Sequence, residues 1–116
     1  MGRDLSFWKT SKKDGLDNTY VYSVLSSGKY LDYIDEIPID EIQRDFSEVF
    51  MDWENYGEVN YEKSNESFQL MLTNQFVRAD CSGMTEMNMN KIIDILLKYN
   101  CPLYDSAINI RFDGTQ

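Results

Sequence analysis

Residues 50–63 read FMDWENYGEVNYEK. Four carboxylates, Asp52, Glu54, Glu58 and Glu62, are interleaved with four rings, Phe50, Trp53, Tyr56 and Tyr61, before Lys63 closes the run. A core wants the rings without the charges, and a solvating loop wants the charges without the rings. Tyr and Trp supply rigid, buriable area with a polar tip. Carboxylates supply steering toward Arg or Lys and pairing with them. Together they suit recognition of a basic protein. The run KYLDYIDE repeats the style upstream, adding Tyr30 and Tyr33 among Asp32, Asp35 and Glu36. The candidate contact residues are therefore Asp32, Tyr33, Asp35, Glu36, Asp52, Glu54, Tyr56, Glu58, Tyr61 and Glu62. Trp53 fits a buried helix face by its spacing. Tyr56 and Tyr61 do not, and the segment that carries them reads as exposed.

Catalytic chemistry finds little support. The chain has no histidine, which removes the commonest general base and the usual activator of a cysteine nucleophile. Cys81 and Cys101 fit no zinc spacing and read as free thiols of a reducing compartment. There is no glycine-rich phosphate loop and no calcium-loop spacing. The acids are many, but none forms a recognisable acid/base pair. The expectation is a protein without enzymatic activity, cofactor or metal.

Charge narrows the partner. The chain of 116 residues has net charge −9 and a pI near 4.3. Residues 30–62 hold eleven acids and one base, Arg44, so this stretch carries −10 and the remainder +1. Such a region repels nucleic acid and anionic membranes and attracts basic proteins. A sheet face bearing Trp8, Gln69, Met71, Arg78 and Arg111 could imitate an RNA-binding platform, but the charge opposes it. No apolar run approaches the ~18 residues of a membrane span, and MGRDLSFWKT has no signal-peptide core. The reading is a cytoplasmic, single-domain protein over residues 1–116, monomeric when free.

The elements that must position these residues follow from periodicity. DLSFWK alternates as a strand, with Leu5 and Phe7 opposite Ser6 and Trp8. A turn at Asp14-Gly15 leads to a short helix over TYVYSVLSSG, with Asn18 as its cap and Gly28 as its stop. Pro38 opens a helix running to about residue 53, with Ile42, Phe46, Val49, Phe50 and Trp53 inward and Asp40, Glu41, Asp45, Glu48 and Asp52 outward. One short strand is expected around EVNYE. SFQLMLT and FVRADC then alternate on either side of an Asn74-Gln75 turn. A helix capped by Thr85 presents Met89, Ile92, Ile93 and Leu96. SAINIRF closes the chain as a strand with Ile108, Ile110 and Phe112 inward. The order predicts an α+β fold: an antiparallel sheet of four or five strands with helices packed on one face, in the split βαβ, ferredoxin-like order.

The runs LSFWK, SFQLMLTNQFVRADCSGM and CPLYDSAINIRFD resemble small bacterial cytosolic proteins, among them immunity proteins of contact-dependent growth inhibition and other polymorphic toxin systems. The resemblance implies an inhibitor that binds one cognate toxin domain, often a nuclease, and blocks its active site. It carries over no catalytic or contact residue. The alternatives are an intracellular regulatory or adaptor protein for a basic partner and a carboxylate-based enzyme.

Overall fold

The structure, a computed structural model, describes residues 2–11 and 16–112. The chain runs β1 (Gly2–Phe7), α1 (Asn18–Ser26), α2 (Ile39–Val49), β2 (Glu54–Tyr56), β3 (Asn60–Lys63), β4 (Glu66–Leu72), β5 (Val77–Ser82), α3 (Glu86–Leu97), β6 (Leu103–Asp105) and β7 (Ile110–Phe112). The strands form one antiparallel sheet in the order β2-β3-β4-β5-β1-β6-β7. The fold class is α+β, but among the described residues the sheet has seven strands rather than four or five.

Both extra strands come from segments that fold back on themselves. The EVNYE region is half of a hairpin, with β2 paired to β3. SAINIRF, expected as one strand, is instead a turn over 106–109 followed by β7, and LYD before it forms β6. The Asp105 carboxylate accepts from the Ala107 amide at 3.0 Å, and Asn109 adopts φ +53° while its side chain receives the Tyr104 hydroxyl at 2.8 Å. These side-chain bonds favour a turn over a continued ladder. Ile108 and Ile110, expected inward, are 54% and 44% exposed.

The helices do not share one face. Because strand side chains alternate, β1 sends Leu5 and Phe7 to one side and Ser6 to the other, where Trp8, just beyond the strand, also lies. On the first side they meet Phe68, Leu70, Val77 and Ala79, covered by Ile42 and Phe46 of α2 and Ile92, Ile95 and Leu96 of α3. On the second side Trp8, Phe76 and Tyr104 are covered by Val21 and Leu25 of α1 and by Ile34. Trp8, expected on an open sheet face, is fully buried, with Tyr104 at 5.0 Å and the Arg111 guanidinium 4.9 Å over its ring.

The connector from α1 to α2 is tied down by Gln75, a buried side chain in the β4–β5 turn. Gln75 accepts from the Leu31 amide at 3.0 Å and donates to the carbonyls of Leu31 and Ile34 at 2.7 and 2.8 Å. The Asp35 amide donates to Lys9 O and the Ile37 amide to Asn74 O.

Helix ends follow capping chemistry. Asp17, not Asn18, caps α1, accepting from the amides of Thr19 and Tyr20. Gly28 stops it at φ +85°. The expected Asp14-Gly15 turn lies outside the described residues. Helix α2 follows Pro38 and ends at Val49, four residues short of the expected boundary. Trp53 lies beyond it in a turn and still reaches the core, edge-on to Phe50 at 5.2 Å. Thr85 caps α3, as its position predicts. Before that helix, Gly83 has φ +64°, and a Cβ there would stand 2.6 Å from the Asn65 carbonyl oxygen. Only glycine fits both conditions.

Candidate partner-binding site

The β2–β3 hairpin holds Glu54, Tyr56, Glu58, Tyr61 and Glu62, half of the predicted contact residues; Asp52 lies in the turn before it, and α2, which holds none of them, packs beside it. Gly57 and Glu58, at φ +60° and +68°, turn the hairpin. The Asn55 side chain accepts from the Glu58 amide at 3.1 Å and steadies that conformation. The register sets Glu54 opposite Glu62, Asn55 opposite Tyr61 and Tyr56 opposite Asn60.

That register separates Tyr61 from the charges and leaves Tyr56 among them. Tyr61 points inward, 2% exposed, stacked 4.9 Å from Phe68 and 5.9 Å from Phe50. Its burial pushes the phenol pKa up. The expectation that Tyr61 is surface-exposed is therefore wrong: strand alternation, not helix spacing, places it in the core. Tyr56 points to the other face and is 52% exposed. Its hydroxyl donates to the Glu54 carboxylate, which raises the Tyr56 pKa. Glu54 and Glu62, both exposed, face each other across the ladder. Like charges in directly opposed positions destabilise a strand pair, so the hairpin carries a local cost that its own fold does not explain.

Between α2 and the hairpin lies an open groove of about 560 Å3. Phe50, Trp53 and Tyr61 form its floor. Asp40, Gln43 and Ser47 of α2 line one side and Asn55 and Glu58 of the hairpin the other. Gln43 donates weakly across it to Glu58 at 3.5 Å. Cations nearby include Arg44, also in the lining, and Lys63, which is bound to Asp52 at 2.5 Å and, with a smaller contribution from Lys91, holds that carboxyl below its ordinary range. Asp40, Gln43 and Ser47 were absent from the sequence-derived set. Their spacing along one outward face of α2 is the signal that could have found them.

The upstream residues form a separate patch. Asp32 and Glu36 are exposed, and Tyr33 and Asp35 are half-buried, on the connector pinned to Lys9 and Gln75. Tyr33 packs against the Trp8 cluster, and its carbonyl accepts from the Thr10 hydroxyl at 2.7 Å. The segments that hold this connector are the end of β1 and the β4–β5 turn, so the intervening strands β3 and β4 set it apart from β2.

Cys81 and Cys101 are free and buried in the core on the α2–α3 side. Burial pushes their thiols up to about 12 and about 11, so neither is a thiolate near neutrality. Among the described residues no helix is long and apolar enough to cross a membrane. No protein-family model matches the chain, and no curated protein matches it significantly in sequence.

Proposed function

We propose that this chain is an immunity protein: a stoichiometric inhibitor that binds a cognate basic toxin domain through the acidic α2–hairpin surface and occludes the toxin's active site. The observation that carries this reading is the hairpin's outer face, where Glu54 and Glu62 stand opposed beside an exposed Tyr56. A basic partner relieves the repulsion that the free protein sustains there, while the aromatic ring contributes contact area. A nuclease is the toxin class that best complements the surface, because a site that holds phosphate is itself positively charged. In fold, we read the inner strands β4-β5-β1-β6 as the split βαβ arrangement, extended by β2-β3 on one margin and β7 on the other.

The test is a titration against the basic toxin domain proposed as the cognate partner. We expect a 1:1 complex that abolishes toxin activity. Its association rate should fall about tenfold or more as salt rises from low to several-fold physiological levels, while dissociation changes little. Absence of a complex, or association indifferent to salt, overturns the proposal.

A further inference from the structure

We propose that the partner is seated as an extended, lysine- or arginine-rich segment lying along β2, with alternate side chains entering the α2–hairpin groove. This rests on the function proposed above and specifies where and in what form the partner binds.

Three observations converge on this seat. First, β2 ends the sheet, and among the described residues only β3 pairs with it. Its outer backbone groups are open to another strand. Second, an added strand would alternate its side chains between the two faces. One set would meet Glu54 and Tyr56, and the other would enter the groove beside Asn55 and Glu58, over the Trp53 edge. Third, charge selects the occupant. Glu54, Glu58 and Glu62 are exposed; Lys63 is bound to Asp52, and Arg44 in the groove lining is outnumbered by these carboxylates and Asp40. A second copy of this chain docking edge to edge would bring the same carboxylates together, so a cationic strand fits and a homodimer does not. The opposite edge, β7, exposes Ile110, while Arg111 is engaged with Trp8, and it lacks this chemistry.

The test uses the full chain, isotopically labelled for amide NMR, and a synthetic heptapeptide alternating Arg and Thr, with a Glu/Thr heptapeptide as control. The expected result is saturable shifts centred on the amides of Glu54, Asn55 and Tyr56, produced by the cationic peptide alone. Two variants of equal charge change separate seating from general attraction. The triple E54Q/E58Q/E62Q should weaken peptide binding about tenfold, and D32N/D35N/E36Q by no more than about twofold. Ser47→Phe, which fills the groove from an exposed helix position without altering charge, should weaken it comparably to the hairpin triple. Equal losses in the two triples, binding unaffected by Ser47→Phe, or no shifts at β2 overturn the seat. Self-association abolished by the hairpin triple overturns it in favour of a second copy. None of these outcomes decides the inhibitor function, which the toxin titration tests independently. A toxin complex with equal losses in the two triples keeps that function and rejects this seat.

Discussion

Tyr56 and Tyr61 belong to one hairpin and point to opposite faces of it, so the same substitution should give opposite results at the two positions. Tyr61 fills space between Phe50 and Phe68, and Tyr61→Ala leaves a cavity in the core that α2 covers. The expected loss is about 3–5 kcal/mol, the range for deleting a buried ring. Tyr56 touches solvent and the Glu54 carboxylate. Tyr56→Ala should shift stability by less than about 0.5 kcal/mol and cost about 2 kcal/mol of toxin affinity if the ring is an interface anchor. Urea unfolding of both variants, with a toxin titration of Tyr56→Ala, reads these values. A Tyr56 variant that unfolds as early as the Tyr61 variant would mean that both rings serve the core.

At the scale of elements, the start of α3 is held by a side chain from another element. Glu66 on β4 accepts from the Thr85 amide at 2.7 Å and from Asn88 Nδ2 at 2.9 and 3.0 Å. The Thr85 amide, and then Asn88, hold the Glu66 carboxyl below its ordinary value of 4.5. The folded state therefore binds this proton less readily than the unfolded chain does. The stabilisation is complete above pH 4.5 and is lost as pH falls through the folded value. Glu66→Gln should destabilise the protein by about 0.5–2 kcal/mol at neutral pH, the range for an N-terminal cap. The gap between parent and variant should shrink on acidification. Asp45, lowered by the Tyr99 hydroxyl at 2.5 Å and by Lys98 at 3.0 Å, acts in the same direction between α2 and α3. Some acid sensitivity should therefore survive in Glu66→Gln. Denaturant titrations at several pH values provide the measurement, and a gap as wide at pH 3 as at pH 7 would contradict the capping role.

On the scale of the whole molecule, the distribution of charge sets stability against binding. The net −9 is concentrated in residues 30–62, and the Lys63–Asp52 pair at its end is exposed and contributes little. Removing the opposed charges with E54Q/E58Q/E62Q should leave the melting temperature unchanged or raise it by a few degrees, even as association with the proposed toxin partner slows. Added salt should narrow the difference between the parent and this variant, since it screens the repulsion that the variant has lost. Thermal melts at low and high salt test this, and a clearly lower melting temperature for the triple at low salt would show that these carboxylates stabilise the fold.

Local chemistry by itself determined the strands of the β4–β5 hairpin, the cap of α3 and, with Ile92 and Leu96 but not Ile95, part of its inner stripe, the Pro38 start of α2 and the concentration of acid between residues 30 and 62. Each rests on a period, a cap or a composition confined to one segment. What only the tertiary structure decided involves partners distant in sequence. Tyr61 is buried because Phe68 and Phe50 close over it, and Trp53 stays in the core although its helix ends before it. Gln75, a polar residue in a turn, is buried because backbone groups of Leu31 and Ile34 satisfy it. Trp8 is covered because α1 crosses to the second face. The acidic residues of 30–62, contiguous in the sequence, divide into a connector patch, the outer side of α2 and a hairpin patch, the sheet order putting β3 and β4 between the first and the last. An alternating pattern establishes that a strand has two faces, but which face is buried depends on what the rest of the chain lays against it.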